Sequence, residues 1–133
     1  MDTNVFSELV KVKPEAKVVA WLHEHENELY VSSTTIGEIR RGIERLADGK
    51  RKTQLRAWLQ SLGECMKGRI LSFNTSTAHV WGQTKARWDK TGIAVASLDS
   101  QIAATAQRHQ LTLVTRNAAH FAKTGVRMCN PFE

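Results

Sequence analysis

Apolar and polar positions recur along this chain with two periods, and the switches between them mark out elements. From Pro14 to Glu26, Val18, Val19 and Leu22 fall at helical spacing with Trp21 beside them, and Pro14 suits a first turn. Leu29-Tyr30-Val31-Ser32 is a short β-type run, apolar enough for a buried strand. Ser33 or Thr34 is placed to cap a helix reaching about Leu46, with Ile36, Ile39, Ile43 and Leu46 as its stripe. Asp48-Gly49 breaks that helix. A basic helix follows from about Lys50 to Met66, striped by Leu55, Trp58, Leu59 and Leu62 and closed by Gly68. Arg69 to Phe73 is a second strand candidate. Asn74 or Thr75 caps a helix to about Lys90 that carries Ala78, Trp81, Lys85 and Trp88 and ends at Gly92. A further helix starts around Asp99 and ends near His109, with Ile102, Ala103 and Ala106 on one tightly packing face. Leu111 to Val114 and Val126 to Cys129 are the last two strand candidates. At the chain start, Asp2-Thr3-Asn4 is suited to capping a helix, and Ser7-Glu8 opens a polar linker reaching Pro14.

Helices alternating with short apolar strands predict a single α/β domain over residues 1–133, with a mainly parallel central sheet and helices on both faces. In such folds the site lies outside the carboxyl ends of the strands. Asp99 and the Thr115-Arg116-Asn117 turn are expected there.

The composition narrows the class. The 133 residues are 41% hydrophobic, enough for a real core, and the four Trp are core or interface candidates. No run approaches the roughly 18 apolar residues of a membrane span, and no signal-peptide segment opens the chain. Cys65 and Cys129 are far apart and lack metal-binding spacing, which suggests a reducing cytoplasm rather than a disulfide framework or a zinc site. The formal charge of +6 favours polyanions without identifying one. It is clustered in Arg40, Arg41, Arg45, Lys50, Arg51, Lys52 and Arg56, which read as a solvated helical face or as a phosphate-backbone contact.

Three acids have suggestive surroundings. Asp2 is followed by Thr3 and Asn4; Glu38 flanks its helix stripe beside Thr35 and Gly37; Asp99 lies between Ser97 and Ser100. Asp99 at a helix start reads either as an N-cap or as a hard-cation ligand. Separated acids converging on one point repel unless a divalent cation sits between them.

The motifs, taken together, resemble the VapC-type PIN-domain toxins of bacterial toxin–antitoxin pairs. Asp2-Thr3-Asn4-Val5 is similar to the family's opening motif, and Ser33 through Ile43 to its second. Asp99 through Ala106 is similar to the third, and Leu113-Val114-Thr115-Arg116-Asn117 with Phe121 to the fourth. The closing stretch from Gly125 to Phe132 resembles one branch of the family.

The resemblance implies a PIN-like three-layer fold and a ribonuclease using Mg²⁺ or Mn²⁺. Asp2 and Asp99 would be metal ligands, with Glu38 binding directly or through water. Asn4, Thr115 and Asn117 would support the acids and their waters, and Arg116 would contact phosphate or remain a solvated charge. Ser33 and Thr34 read as caps rather than ligands. The implied partners are an RNA substrate, a VapB-like antitoxin covering the acidic site, a second copy in a homodimer, and operator DNA reached only through the antitoxin.

Two departures stand out. Only Met1 precedes Asp2, where the family has an apolar strand, so that strand is expected to be very short or to begin upstream of the recorded start. His120 stands where the fourth motif often has an acid, which lowers the site's negative charge and shifts preference from Mg²⁺ toward Mn²⁺. His120 reads equally as a metal contact, a substrate or supporting contact, or an incidental loop residue. These departures motivate the alternative of a catalytically weak PIN-like module that binds RNA or its partner. A small-molecule hydrolase is disfavoured because neither a phosphate-cradling Gly-rich loop nor a nucleophile elbow is present.

Overall fold

The computed structural model describes residues 3–11 and 13–133. Its elements follow the order α1 (Thr3–Glu8), α2 (Ala16–Glu24), β1 (Val31–Ser32), α3 (Ser33–Glu44), α4 (Lys50–Cys65) and β2 (Ile70–Leu71), then α5 (Thr75–Lys90), α6 (Ser97–Arg108), β3 (Leu113–Val114), α7 (Ala118–Phe121) and β4 (Met128–Cys129). A 3₁₀ turn at Glu26–Glu28 joins α2 to β1.

Both strand pairs are parallel. Val31 pairs with Ile70 and Ser32 with Leu71, while Leu113 pairs with Met128 and Val114 with Cys129. Among the described residues these remain two separate two-stranded ladders. A cavity of about 220 Å³ lies between them, lined by Leu29, Tyr30 and Ser32 on one side and by Leu111, Thr112 and Val114 on the other. The strand expected ahead of Asp2 falls outside the described residues.

Consecutive strand residues point to opposite faces, and β3 shows helices on both. Leu113 packs with Trp88, Ile102, Ala103, Ala106 and Phe121, so α5, α6 and α7 cover one side. Val114 packs with Val5, Val18 and Leu22, so α1 and α2 cover the other. A third cluster of Phe6, Val31, Ile39, Ile43, Leu59 and Met66 seats α3 and α4 against β1. This is the α/β arrangement expected from the sequence.

Several local expectations are corrected. Ser7-Glu8 does not begin a linker: α1 continues to Glu8, because Val5 and Phe6 are buried in two different clusters and tertiary packing sustains a helix too short to stand alone. Neither Ser33 nor Thr34 caps α3. Ser32 does, its Oγ accepting from the Thr35 N–H at 3.1 Å, and this frees the Ser33 hydroxyl to accept from the Phe73 N–H at 3.0 Å. Asn74, not Thr75, caps α5 by accepting from the Thr77 N–H. The inner face of α5 is Thr77, Thr84 and Trp88 with half-buried Trp81, one position away from the Ala78 and Lys85 register. Lys85 instead pairs with Asp89. Leu46 lies beyond α3 and is exposed.

The basic cluster is largely engaged locally. Arg40 and Arg56 both bond Glu44, Lys52 is buried against Asp48 and the Glu44 carbonyl, and Arg51 donates to the Val10 carbonyl. Arg40, Lys52 and Arg56 thus pair within the α3–α4 junction, while Arg41, Arg45 and Lys50 are exposed. Cys65 and Cys129 are both free thiols. Among the described residues no helix is long and apolar enough to cross a membrane.

Candidate active site

Asp99 is in the first turn of α6, where the exposed N–H groups and the helix dipole favour a negative charge. It is not the N-cap. That position is Ala96, which offers no side-chain bond. Asp99 is half-buried, its side chain 26% exposed. What fixes it is the rest of α6: Ser100 and every residue from Ile102 to Ala106 are buried. Small Ala103 and Ala104, both fully buried, let the helix approach its neighbours closely.

His120 comes to Asp99 from the other side. Thr115 continues β3, donating its N–H to the Cys129 carbonyl at 3.0 Å, and it is fully buried. Its hydroxyl accepts from the Asn117 N–H at 3.0 Å, which tightens the turn. Asn117 is exposed ahead of α7, and its carbonyl accepts from the His120 N–H at 3.0 Å. Phe121 then plugs into the core beside Ile102 and Ala103. With Phe121 inward, His120 faces α6 and its Nδ1 lies 3.8 Å from Asp99 Oδ2.

Glu38 occupies the middle of α3 and is half-buried. It borders a cavity of about 250 Å³ together with Val10, Ile39, Gly42, Leu55 and Trp58, which agrees with its expected position beside the apolar stripe. α3 packs against both α1 and α6, and Thr34 Oγ1 donates to Gln101 Oε1 at 3.4 Å, so the starts of α3 and α6 adjoin. Asp2 lies outside the described residues, as does the side chain of Asn4, whose backbone is in α1.

Arg116 is exposed, but it is held. Its guanidinium lies over the Phe132 ring, 4.7 Å from the centroid, and its carbonyl accepts from Asn130 Nδ2 at 3.4 Å. Its charge also acts on Glu8. Glu8 escaped the sequence reading because it follows Ser7 in a polar string. It is buried, with Oε2 2.7 Å from Lys11 Nζ and Oε1 accepting from the Glu15 N–H at 2.7 Å. Lys11 first, then that N–H, hold its carboxyl below the usual glutamate range, against the opposing effect of burial.

Among the described residues no three of His, Cys, Asp and Glu gather closely enough to hold a cation by themselves. Mg²⁺ keeps several waters and is commonly bound through only one or two carboxylates. A half-buried carboxylate at a helix start, beside an imidazole, suits Mg²⁺ through oxygen and Mn²⁺ through either donor.

Residues 1–126 match the PIN domain family model. The chain belongs to the PIN domain family. It is 38% identical over 134 residues to the toxin FitB of Neisseria gonorrhoeae, covering 99% of this chain and 96% of that protein. It is 34% identical over 137 residues to the VapC ribonuclease Y4jK of Sinorhizobium fredii, covering 100% of this chain and 96% of that one. The crystal structure of FitAcB from Neisseria gonorrhoeae superposes with a TM-score of 0.91 at 37% identity, covering 99% of this chain and 96% of that chain. This chain is thus a PIN-domain homologue of VapC- and FitB-type toxins.

Proposed function

We propose that this PIN domain is a metal-dependent endoribonuclease serving as the toxin of a VapBC-type pair. The observation that carries the proposal is Asp99, held half-buried in the first turn of a helix whose residues from Ile102 to Ala106 are all buried, in a chain that is PIN-like nearly throughout. Asp99 and Asp2 are the ligands assigned to Mg²⁺ or Mn²⁺, with Glu38 binding directly or through water. The cation, when bound, supplies charge stabilisation at the scissile phosphate and an activated water. Thr115 and Asn117 shape the turn that presents His120, and His120 contacts the metal or its waters beside Asp99. Arg116, braced on Phe132, is assigned a phosphate contact, its alternative being a solvated charge. The partners are RNA, a VapB-like antitoxin covering the acids, and a second copy of the chain, with operator DNA reached through the antitoxin. The FitAB and VapBC assemblies among the similar structures, some of them bound to DNA, support this reading.

RNA cleavage by purified, antitoxin-free protein tests it, with EDTA, Mg²⁺ or Mn²⁺ and beside Asp99→Asn. Metal-dependent cleavage that disappears in the variant is expected. Folded protein that fails to cleave RNA with any of these metals favours the second reading, a binding module of weak catalytic power. The 3.8 Å approach of His120 to Asp99 favours that reading, since an imidazole stands beside the carboxylate where another acid would strengthen cation binding. His120→Asp is accordingly expected to tighten Mg²⁺ binding and raise the ratio of Mg²⁺- to Mn²⁺-supported cleavage. An unchanged ratio removes His120 from the metal's surroundings.

A further inference from the structure

The geometry points to Trp81 as a positioning residue for Asp99. The inference rests on the ribonuclease reading and extends it to a residue that lies on neither acid-bearing helix. Trp81 Nε1 donates to Ser100 Oγ at 2.8 Å, and Ser100 immediately follows Asp99. The Ser100 hydroxyl in turn donates to the Ser97 carbonyl at 2.5 Å, while the Ser100 N–H donates to the Ala96 carbonyl at 2.8 Å. Ser100 is fully buried. One hydroxyl is thus used both as acceptor and as donor, and it pins the turn carrying Asp99 to α5.

The indole is itself braced. Its ring meets Phe73 edge to face, centroids 6.3 Å apart at 71°. The Phe73 N–H donates to Ser33 Oγ at 3.0 Å, and Ser33 is the first residue of α3. A continuous series of contacts therefore runs from the start of α3, through Phe73 and Trp81, to the start of α6. The Thr34–Gln101 bond joins the same two helix starts directly. Glu38 and Asp99 lie on those two helices, so Trp81 fixes the frame in which one acid is placed relative to the other.

Trp81→Phe keeps an aromatic ring against Phe73 and removes the indole N–H. Ser100→Ala removes the acceptor, and the double variant removes both. Exchange of the residue-100 amide, whose N–H bonds the Ala96 carbonyl, is expected to quicken about 3–10-fold relative to its intrinsic rate in either single variant and no further in the double variant. Mn²⁺ affinity, read from the paramagnetic resonance of the free ion, is expected to weaken by a similar factor. For RNA, kcat is expected to fall while KM holds. Variants that exchange and bind Mn²⁺ like the wild type overturn the inference, as does a fall in Tm without either change. Should Trp81→Phe not fold, Ser100→Ala carries the same test. A wild-type chain that binds no Mn²⁺ defeats the ribonuclease reading instead, and the exchange measurement, needing no metal, still decides whether Trp81 holds the turn.

Discussion

In α6 every residue from Ile102 to Ala106 is buried, whereas in α3 burial recurs only at Thr35, Ile39 and Ile43, with Arg40 and Arg41 outside. Each helix carries an acid of the candidate site. Asp99 is in the first turn of a helix enclosed nearly all round, so its backbone position follows from packing on several sides. Glu38 is on an amphipathic helix that packs on α1, α4, α6 and β1 but keeps Arg40 and Arg41 on an exposed face. The comparison teaches that the two acids are not equally fixed. Displacing α6 needs a rearranged core, while α3 can accept changes on its outer face.

The largest effect on this contrast is expected from Phe121→Ala. The ring is fully buried between α7 and α6, and its removal is expected to cost about 3–5 kcal/mol of stability in denaturant titration. The His120–Asp99 approach should be lost with it. A cost below about 1 kcal/mol would mean that α7 is not anchored as described. Next comes a matched pair. Ala103→Leu inserts bulk where α6 has no room and should destabilise by about 1–3 kcal/mol. Gly42→Ala places a methyl on α3 where nothing lies within 4 Å, and should stabilise by about 0.5–1 kcal/mol. Equal penalties for both would erase the distinction between the helices.

How much of this was legible follows from the same residues. α6 was readable because Ile102, Ala103 and Ala106 repeat at helical spacing. α1 was not, because its six residues form a helix only through the distant partners of Val5 and Phe6. Strand positions were legible but their lengths were not, since each ladder extends over two residues of a longer apolar run. Asp99 was identifiable from its motif. That it is not the cap, and that Ser32 rather than Ser33 or Thr34 caps α3, depends on backbone angles that residue identity leaves open. Trp81 was legible only as a core or interface candidate, because the target of its indole N–H is a residue nineteen positions away on another helix. Sequence spacing holds no trace of such a bond.

The smallest expected effect concerns the outer face of α3. Arg56, then its neighbouring cations, hold the Glu44 carboxyl down at about 2 against an ordinary 4.5. A carboxyl depressed in the folded state contributes stability above its unfolded pKa and loses it as pH falls toward the folded one. Wild-type stability should therefore decline between about pH 4.5 and 2 by slightly more than that of Glu44→Gln, as read from Tm across that interval. Because the pair is exposed, the difference should shrink in high salt.

The two ladders also differ in what must happen before each can close. β1 meets β2 only after α3 and α4 have folded back between them, whereas β3 and β4 are separated by little more than α7 and a turn at Gly125, whose φ of 82° is favourable for glycine. Closing the shorter loop costs less chain entropy. The ladder that carries the turn leading to His120 therefore has the shorter loop to close, and the ladder next to the Glu38 helix the longer one.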